Sequence, residues 1–105
     1  RWMAREFSKK PEKARKFIIK YADRIFFGSD LSFGRKQGID NTRYFFTRYL
    51  TFCALFETNV KNLPLPFPDE ENNNKTIING LDLPNHTLHK IYWGTPFNFF
   101  ETKTR

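Results

Sequence analysis

Asp30 follows a short apolar run, Arg24-Ile25-Phe26-Phe27-Gly28, and one serine, Ser29. A carboxylate just past the C-terminal end of an apolar strand stands where parallel α/β folds keep their active sites. At such a point it can ligate a hard or borderline metal and take a proton from metal-bound water. The same Gly-Ser-Asp spelling also suits a turn or a helix cap, so residue type alone leaves both roles open. His86 and His89, the only histidines, are three residues apart and fit either an i, i+3 metal pair or two surface side chains. Cys53 is the only cysteine, which excludes an internal disulfide and a cysteine metal cage within the chain. Its setting, Tyr49-Leu50-Thr51-Phe52-Cys53-Ala54-Leu55-Phe56, predicts a buried and inert thiol. Asn74-Lys75-Thr76 and Asn85-His86-Thr87 spell glycan acceptors, relevant only to a secreted protein, and read as chance.

The elements that must position these groups are mostly helical. Over residues 12–21, Ala14, Phe17, Ile18 and Tyr21 recur at i, i+3, i+4 and i+7, while Lys13, Arg15, Lys16 and Lys20 take other faces. This predicts an amphipathic helix, with Pro11 in its first turn and Glu12 at the positive end of its dipole. Residues 2–8 predict the tail of an earlier helix. The run 24–28 has the pattern of a strand buried on both faces, and such strands belong in parallel sheets. Its only rival is Lys75-Thr76-Ile77-Ile78-Asn79, flanked by polar loop and Gly80. A lone buried strand leaves backbone groups unpaired, so the sheet must come from outside the chain or the run is not a strand. Residues 43–57 predict a helix covered on most sides, with Arg43, Thr47, Thr51 and Thr58 as its recurring polar positions. Leu63-Pro64-Leu65-Pro66-Phe67-Pro68 and the polar stretch 69–75 predict a loop. A second amphipathic helix follows Leu83-Pro84, with Leu88, Ile91 and Tyr92 on one face. Gly94-Thr95-Pro96 is expected to stop it before a final short turn carrying Phe97, Phe99 and Phe100.

At 105 residues and 39% apolar content, the chain has room for one core. Thirteen Phe, four Tyr and two Trp give it more large apolar surface than this length easily hides, so some is expected to face a partner. The net charge of +7 is lopsided: residues 1–48 hold 13 Lys and Arg against 5 Asp and Glu, and residues 49–105 hold 5 against 6. The basic half fits an electrostatic footprint for nucleic acid or an acidic membrane, or else a solvated helix face. No apolar run reaches the roughly 20 residues of a membrane-spanning helix, so no membrane partner is expected and the chain reads as cytoplasmic. The opening Arg1-Trp2-Met3-Ala4, with Met3 inside a helical pattern, reads as cut from something longer.

Two segments carry a family resemblance. Tyr21-Ala22-Asp23-Arg24-Ile25-Phe26-Phe27-Gly28-Ser29-Asp30 is similar to the last barrel strand of the amidohydrolase-related family (amidohydrolase 2 type), which reads roughly Y-x-D-R-I-[LF]-F-G-[ST]-D. Ile78-Asn79-Gly80-Leu81-Asp82-Leu83-Pro84-Asn85-His86-Thr87-Leu88-His89-Lys90-Ile91-Tyr92 resembles that family's closing G-L-x-L-P-x-x-x-L-x-K-I-Y. The order is the family's, and the resemblance spans about residues 11–100. One departure is Gly94-Thr95-Pro96-Phe97-Asn98, where the family usually has an Asn-Ala pair.

The resemblance implies a parent α/β protein, a (β/α)8 TIM barrel, of which residues 1–105 are the C-terminal piece. That piece is expected to be mainly helical with one or two short strands: a helix, the last strand 24–28, then the terminal helices. It implies a divalent metal, zinc foremost, and hydrolysis or decarboxylation of small-molecule substrates. Asp30 takes the role of the last-strand aspartate, both metal ligand and catalytic acid/base. The family's early His-x-His pair and its middle-strand histidines have no counterpart here, so the piece alone is expected to be inactive and to hold no metal tightly. Asp23 and Arg24 match family positions and are expected to pair structurally at the base of the strand. The alternatives are a small basic nucleic-acid-binding module and a helical module that forms a homo-oligomer through exposed apolar surface.

Overall fold

In the computed structural model, residues 3–25, 27–28 and 41–104 are described. The chain opens with helices α1 (Met3–Lys9) and α2 (Pro11–Lys20), which turn about Lys10. Pro11 occupies the first turn of α2, where its missing N–H leaves no intrahelical bond unmade. Ala14, Ile18 and Ala22, spaced four apart, form the row that enters the core beside Ala4 of α1. Phe17, expected on that face, is 52% exposed, because it lies at the edge of this narrow row.

Helix α3 (Asn41–Glu57) buries Tyr44, Thr51, Phe52, Leu55 and Phe56. It was expected to be covered on most sides, yet Phe46, Tyr49, Leu50 and Cys53 are exposed. The helix carries two apolar faces and the described residues cover one. The expected burial of Cys53 fails for that reason, since Cys53 lies on the uncovered face.

The last carbonyls of a helix have no partner within it. At the end of α3 they are met by the backbone of residues 81–83: Leu81 N–H donates to Leu55 O at 2.6 Å, Asp82 N–H to Thr58 O at 2.9 Å and Leu83 N–H to Phe56 O at 2.9 Å. Gly80 N–H donates to Val60 O at 2.7 Å. The same stretch drives Ile78, Leu81 and Leu83 into the core against Leu55 and Phe56. Each fully buried aliphatic side chain there contributes roughly 1.5–3 kcal/mol.

Just outside this closure, β1 (Leu63–Pro64) and β2 (Ile77–Ile78) pair antiparallel, with Leu63 opposite Ile78 and Pro64 opposite Ile77. The run 75–79 therefore supplies a strand. Asn79 ties it to neighbours on both sides: its side chain donates to Ser8 O at 2.9 Å and accepts from Asn62 N–H at 2.9 Å. The intervening loop is held to α1 by a buried pair, Arg5 Nη2 to Asp69 Oδ1 at 2.7 Å, with Arg5 Nε donating to Thr76 Oγ1 at 3.0 Å and Thr76 Oγ1 donating to Asp69 Oδ2. Both charges are nearly excluded from water, so each depends on the other to offset its desolvation.

After Pro84 come α4 (Asn85–His89), one wide turn over Lys90–Gly94, and α5 (Thr95–Thr104). The helix expected to stop at Gly94-Thr95-Pro96 instead passes through that wide turn and continues. The run 24–28 also departs from expectation. Arg24 closes a 3-10 turn (Ala22–Arg24), Ile25 is extended, and neither these nor Phe27 and Gly28 pair with a strand; Phe26 lies outside the described residues. The described residues are thus mainly helical with one two-stranded ribbon, as expected of a mainly helical chain with one or two short strands.

Gly80 is where the closure of α3 admits no side chain. A Cβ there would stand 2.0 Å from Thr58 O and 2.9 Å from Val60 N. Gly80→Ala should lower stability by about 2–4 kcal/mol, read as a shifted urea midpoint at unchanged m-value, because backbone and not a flexible side chain would have to move.

Candidate functional site

The wide turn defines the corner at which the chain approaches Asp30. Thr95 N–H reaches back five residues to Lys90 O, a π-type bond. In that pattern the next carbonyl, Ile91 O, would be served by residue 96, which is proline and has no N–H. Phe27 N–H fills the gap, donating to Ile91 O at 2.8 Å. Two further ties join the same segments: Thr95 Oγ1 donates to Ala22 O at 2.5 Å, and Lys90 Nζ lies 3.1 Å from Asp23 Oδ1. The Asp23 partner is therefore Lys90 and not Arg24 as expected. Both ends of that ion pair are solvent-exposed, so it orients more than it stabilises.

The Phe27 ring completes the corner. It meets Phe52, Phe56 and Tyr92 edge-on at centroid distances of 5.1, 5.9 and 5.8 Å, and tilts against Tyr49 at 6.5 Å. Such geometry adds to the apolar burial of each ring. Gly28 is the last described residue before Asp30, which itself lies outside the described residues, as do Ser29 and the rest of 29–40.

Beside this corner three titratable groups converge. Tyr92 Oη donates to Glu57 Oε2 at 3.1 Å. Desolvation, then the adjacent Glu57 charge, pushes the Tyr92 phenol well above its usual range, so it stays protonated and a donor. Cys53 is raised as well, first by partial burial and then by its hydrogen bond to and repulsion from Glu57. A thiol held protonated is a poor nucleophile and metal ligand. The expectation of an inert thiol thus keeps a physical basis in partial desolvation and the Glu57 carboxylate, although the residue is exposed and not enclosed in the core. Sequence reasoning missed the Glu57–Tyr92 contact because 35 residues separate the partners; the signal was Glu57 itself, the one acid in α3, at its last turn.

His86 and His89 are both exposed on α4. Among the described residues, no three of His, Cys, Asp and Glu stand close enough to hold a metal, so the described donors do not by themselves fit a zinc ion. On α1 and α2 and the turn between them, Lys9, Lys10, Lys13, Lys16 and Lys20 are exposed, while Arg15 is drawn in to donate to Asp82 O at 3.3 Å. Phe17 stands among them with its ring 5.0 Å from that of Tyr21. Among the described residues no helix is long and apolar enough to cross a membrane. Comparison with family profiles, with curated proteins and with solved structures finds no match to the chain.

Removing the Glu57 charge while keeping its shape should bring the Cys53 thiol part of the way back toward its ordinary pKa. Glu57→Gln is expected to speed alkylation of Cys53 by iodoacetamide at pH 8 by roughly two- to fivefold, since rate follows the thiolate fraction. An unchanged rate would show that burial alone sets the thiol.

Proposed function

We propose that the chain is the C-terminal part of a cytoplasmic, metal-dependent enzyme of the amidohydrolase-related kind, built as a (β/α)8 barrel. It acts on small molecules by metal-activated hydrolysis or decarboxylation. Asp30 ligates the divalent metal, zinc foremost, and serves as acid/base, while the remaining ligands come from other strands of the barrel. The bound metal would supply an acidified water.

One observation carries the proposal. The two segments that resemble the family, 21–30 and 78–92, are far apart in the chain yet meet through Phe27 with Ile91 and Asp23 with Lys90. Coincidental likenesses have no reason to be neighbours. The extended backbone at Ile25, directly after α2 and its 3-10 turn, further supports a helix-then-strand order.

The chain joined to its upstream reading frame should carry a His-x-His on an apolar strand and retain zinc. In that protein Asp30→Asn should reduce turnover by about a thousandfold or more. The 105 residues alone should lose zinc on dialysis; stoichiometric retention by them would overturn the proposal.

A second reading, a small basic nucleic-acid-binding module, is favoured by the exposure of Phe17 among Lys13, Lys16 and Lys20. The enzyme reading expects no salt-dependent shift of a single-stranded oligonucleotide at micromolar protein and physiological salt. A shift abolished by Phe17→Ala would favour the module.

A further inference from the structure

We infer that the face of α3 left exposed among the described residues is a self-association surface, on which a second copy of this chain lays its own α3 antiparallel to the first. Arg43, Phe46, Leu50, Cys53 and Glu57 are all exposed, with Phe46 at 62% and Leu50 at 48%. Their spacing alternates three and four residues, the pattern of a seam that stays on one side of a helix packed lengthwise against another. The three inner positions are apolar and the two outer ones carry opposite charges. Tyr49, also exposed, widens the apolar strip.

Charge selects both the occupant and its direction. Leu50 lies midway between Arg43 and Glu57, seven residues from each. A two-fold axis at Leu50 therefore sets Arg43 of each copy beside Glu57 of the other, the two such pairs lying about 21 Å from one another along the helix. A parallel pair would instead stack Arg43 on Arg43 and Glu57 on Glu57. Glu57 is already oriented, because Tyr92 Oη donates to one of its oxygens and leaves the side chain at the surface. A face that is apolar at its centre and opposite in charge at its ends is its own complement. The pairing uses no metal and none of residues 21–30, so it stands apart from the enzyme proposal.

Sedimentation velocity of the 105-residue chain, with reductant present, tests it. A reversible monomer–dimer equilibrium is expected over about 5–200 µM. Leu50→Asp should raise the dimer Kd by at least about 30-fold. Arg43→Glu and Glu57→Arg should each raise it by about 5–20-fold, and the double exchange should return it to within about threefold of the parent. All substituted side chains are exposed, and circular dichroism melts check that each variant stays folded. Tyr92→Phe, which keeps the carboxylate, should leave the equilibrium within about threefold and so separate loss of the Tyr92 bond from loss of the charge pair. A monomer throughout, an unaffected Leu50→Asp dimer, a double exchange no tighter than the singles, or a dimer seen only without reductant would each overturn the inference.

Discussion

The closure of α3 by the backbone of residues 81–83 is the constraint on which the rest depends. Carbonyls at the end of a helix must find donors, and here they find them in a segment more than twenty residues further along the chain. Three consecutive N–H groups donate there, with Asp82 between them in the left-handed region at φ 46°, and Leu81 and Leu83 join Leu55 and Phe56 in the core, so one set of bonds fixes both polar satisfaction and core packing. That segment then feeds α4 at a set angle, carrying Ile91 to its meeting with Phe27. The ribbon, the α1 contacts and the aromatic corner all hang from the same junction.

The aromatic corner follows from a single missing proton donor. Pro96 cannot serve Ile91, the helix widens over one turn, and Phe27 enters from outside to satisfy the carbonyl. π-type turns of this kind often sit at functional positions. Here the turn joins the two segments whose spelling resembles one enzyme family, and it does so next to the point where the chain goes on toward Asp30. The corner holds an acid, a phenol and a thiol, with the phenol and thiol both kept protonated. It is better suited to holding shape than to chemistry.

Local features were legible in the sequence wherever one side chain or one period decided them. Pro11 marked the start of α2 and Leu83-Pro84 marked the entry to α4, while the alternating prolines marked the break after α3 but hid that Leu63-Pro64 forms β1 on the edge of the ribbon. The 75–79 run was visible as the rival strand. What could not be read was which of two apolar faces on α3 would be covered, because periodicity records hydrophobicity and not the neighbour that meets it. Cys53 was misplaced for that reason, and Phe17 because the row of α2 that enters the core is narrower than its apolar period. The run 24–28 has the composition of a buried strand, but whether it joins a sheet depends on partners that no local pattern contains. Pro96 looked like a terminator because a missing N–H usually ends a helix, and the compensating donor lies almost seventy residues upstream. Of the candidate site, the Asp30 role rests on resemblance, while the surrounding corner emerged only from tertiary contacts.

The engagement of Asn79 also bears on chemical ageing. An asparagine followed by glycine is prone to cyclise, its side-chain carbonyl being attacked by the next backbone nitrogen, with loss of ammonia. Here the Asn79 amide is held on both sides by Ser8 and Asn62, and the Gly80 nitrogen is committed to Val60 O. Neither reacting group is at liberty while the segment is closed. Deamidation at this bond is therefore gated by local opening, and its slow accumulation would count the moments at which the segment comes undone.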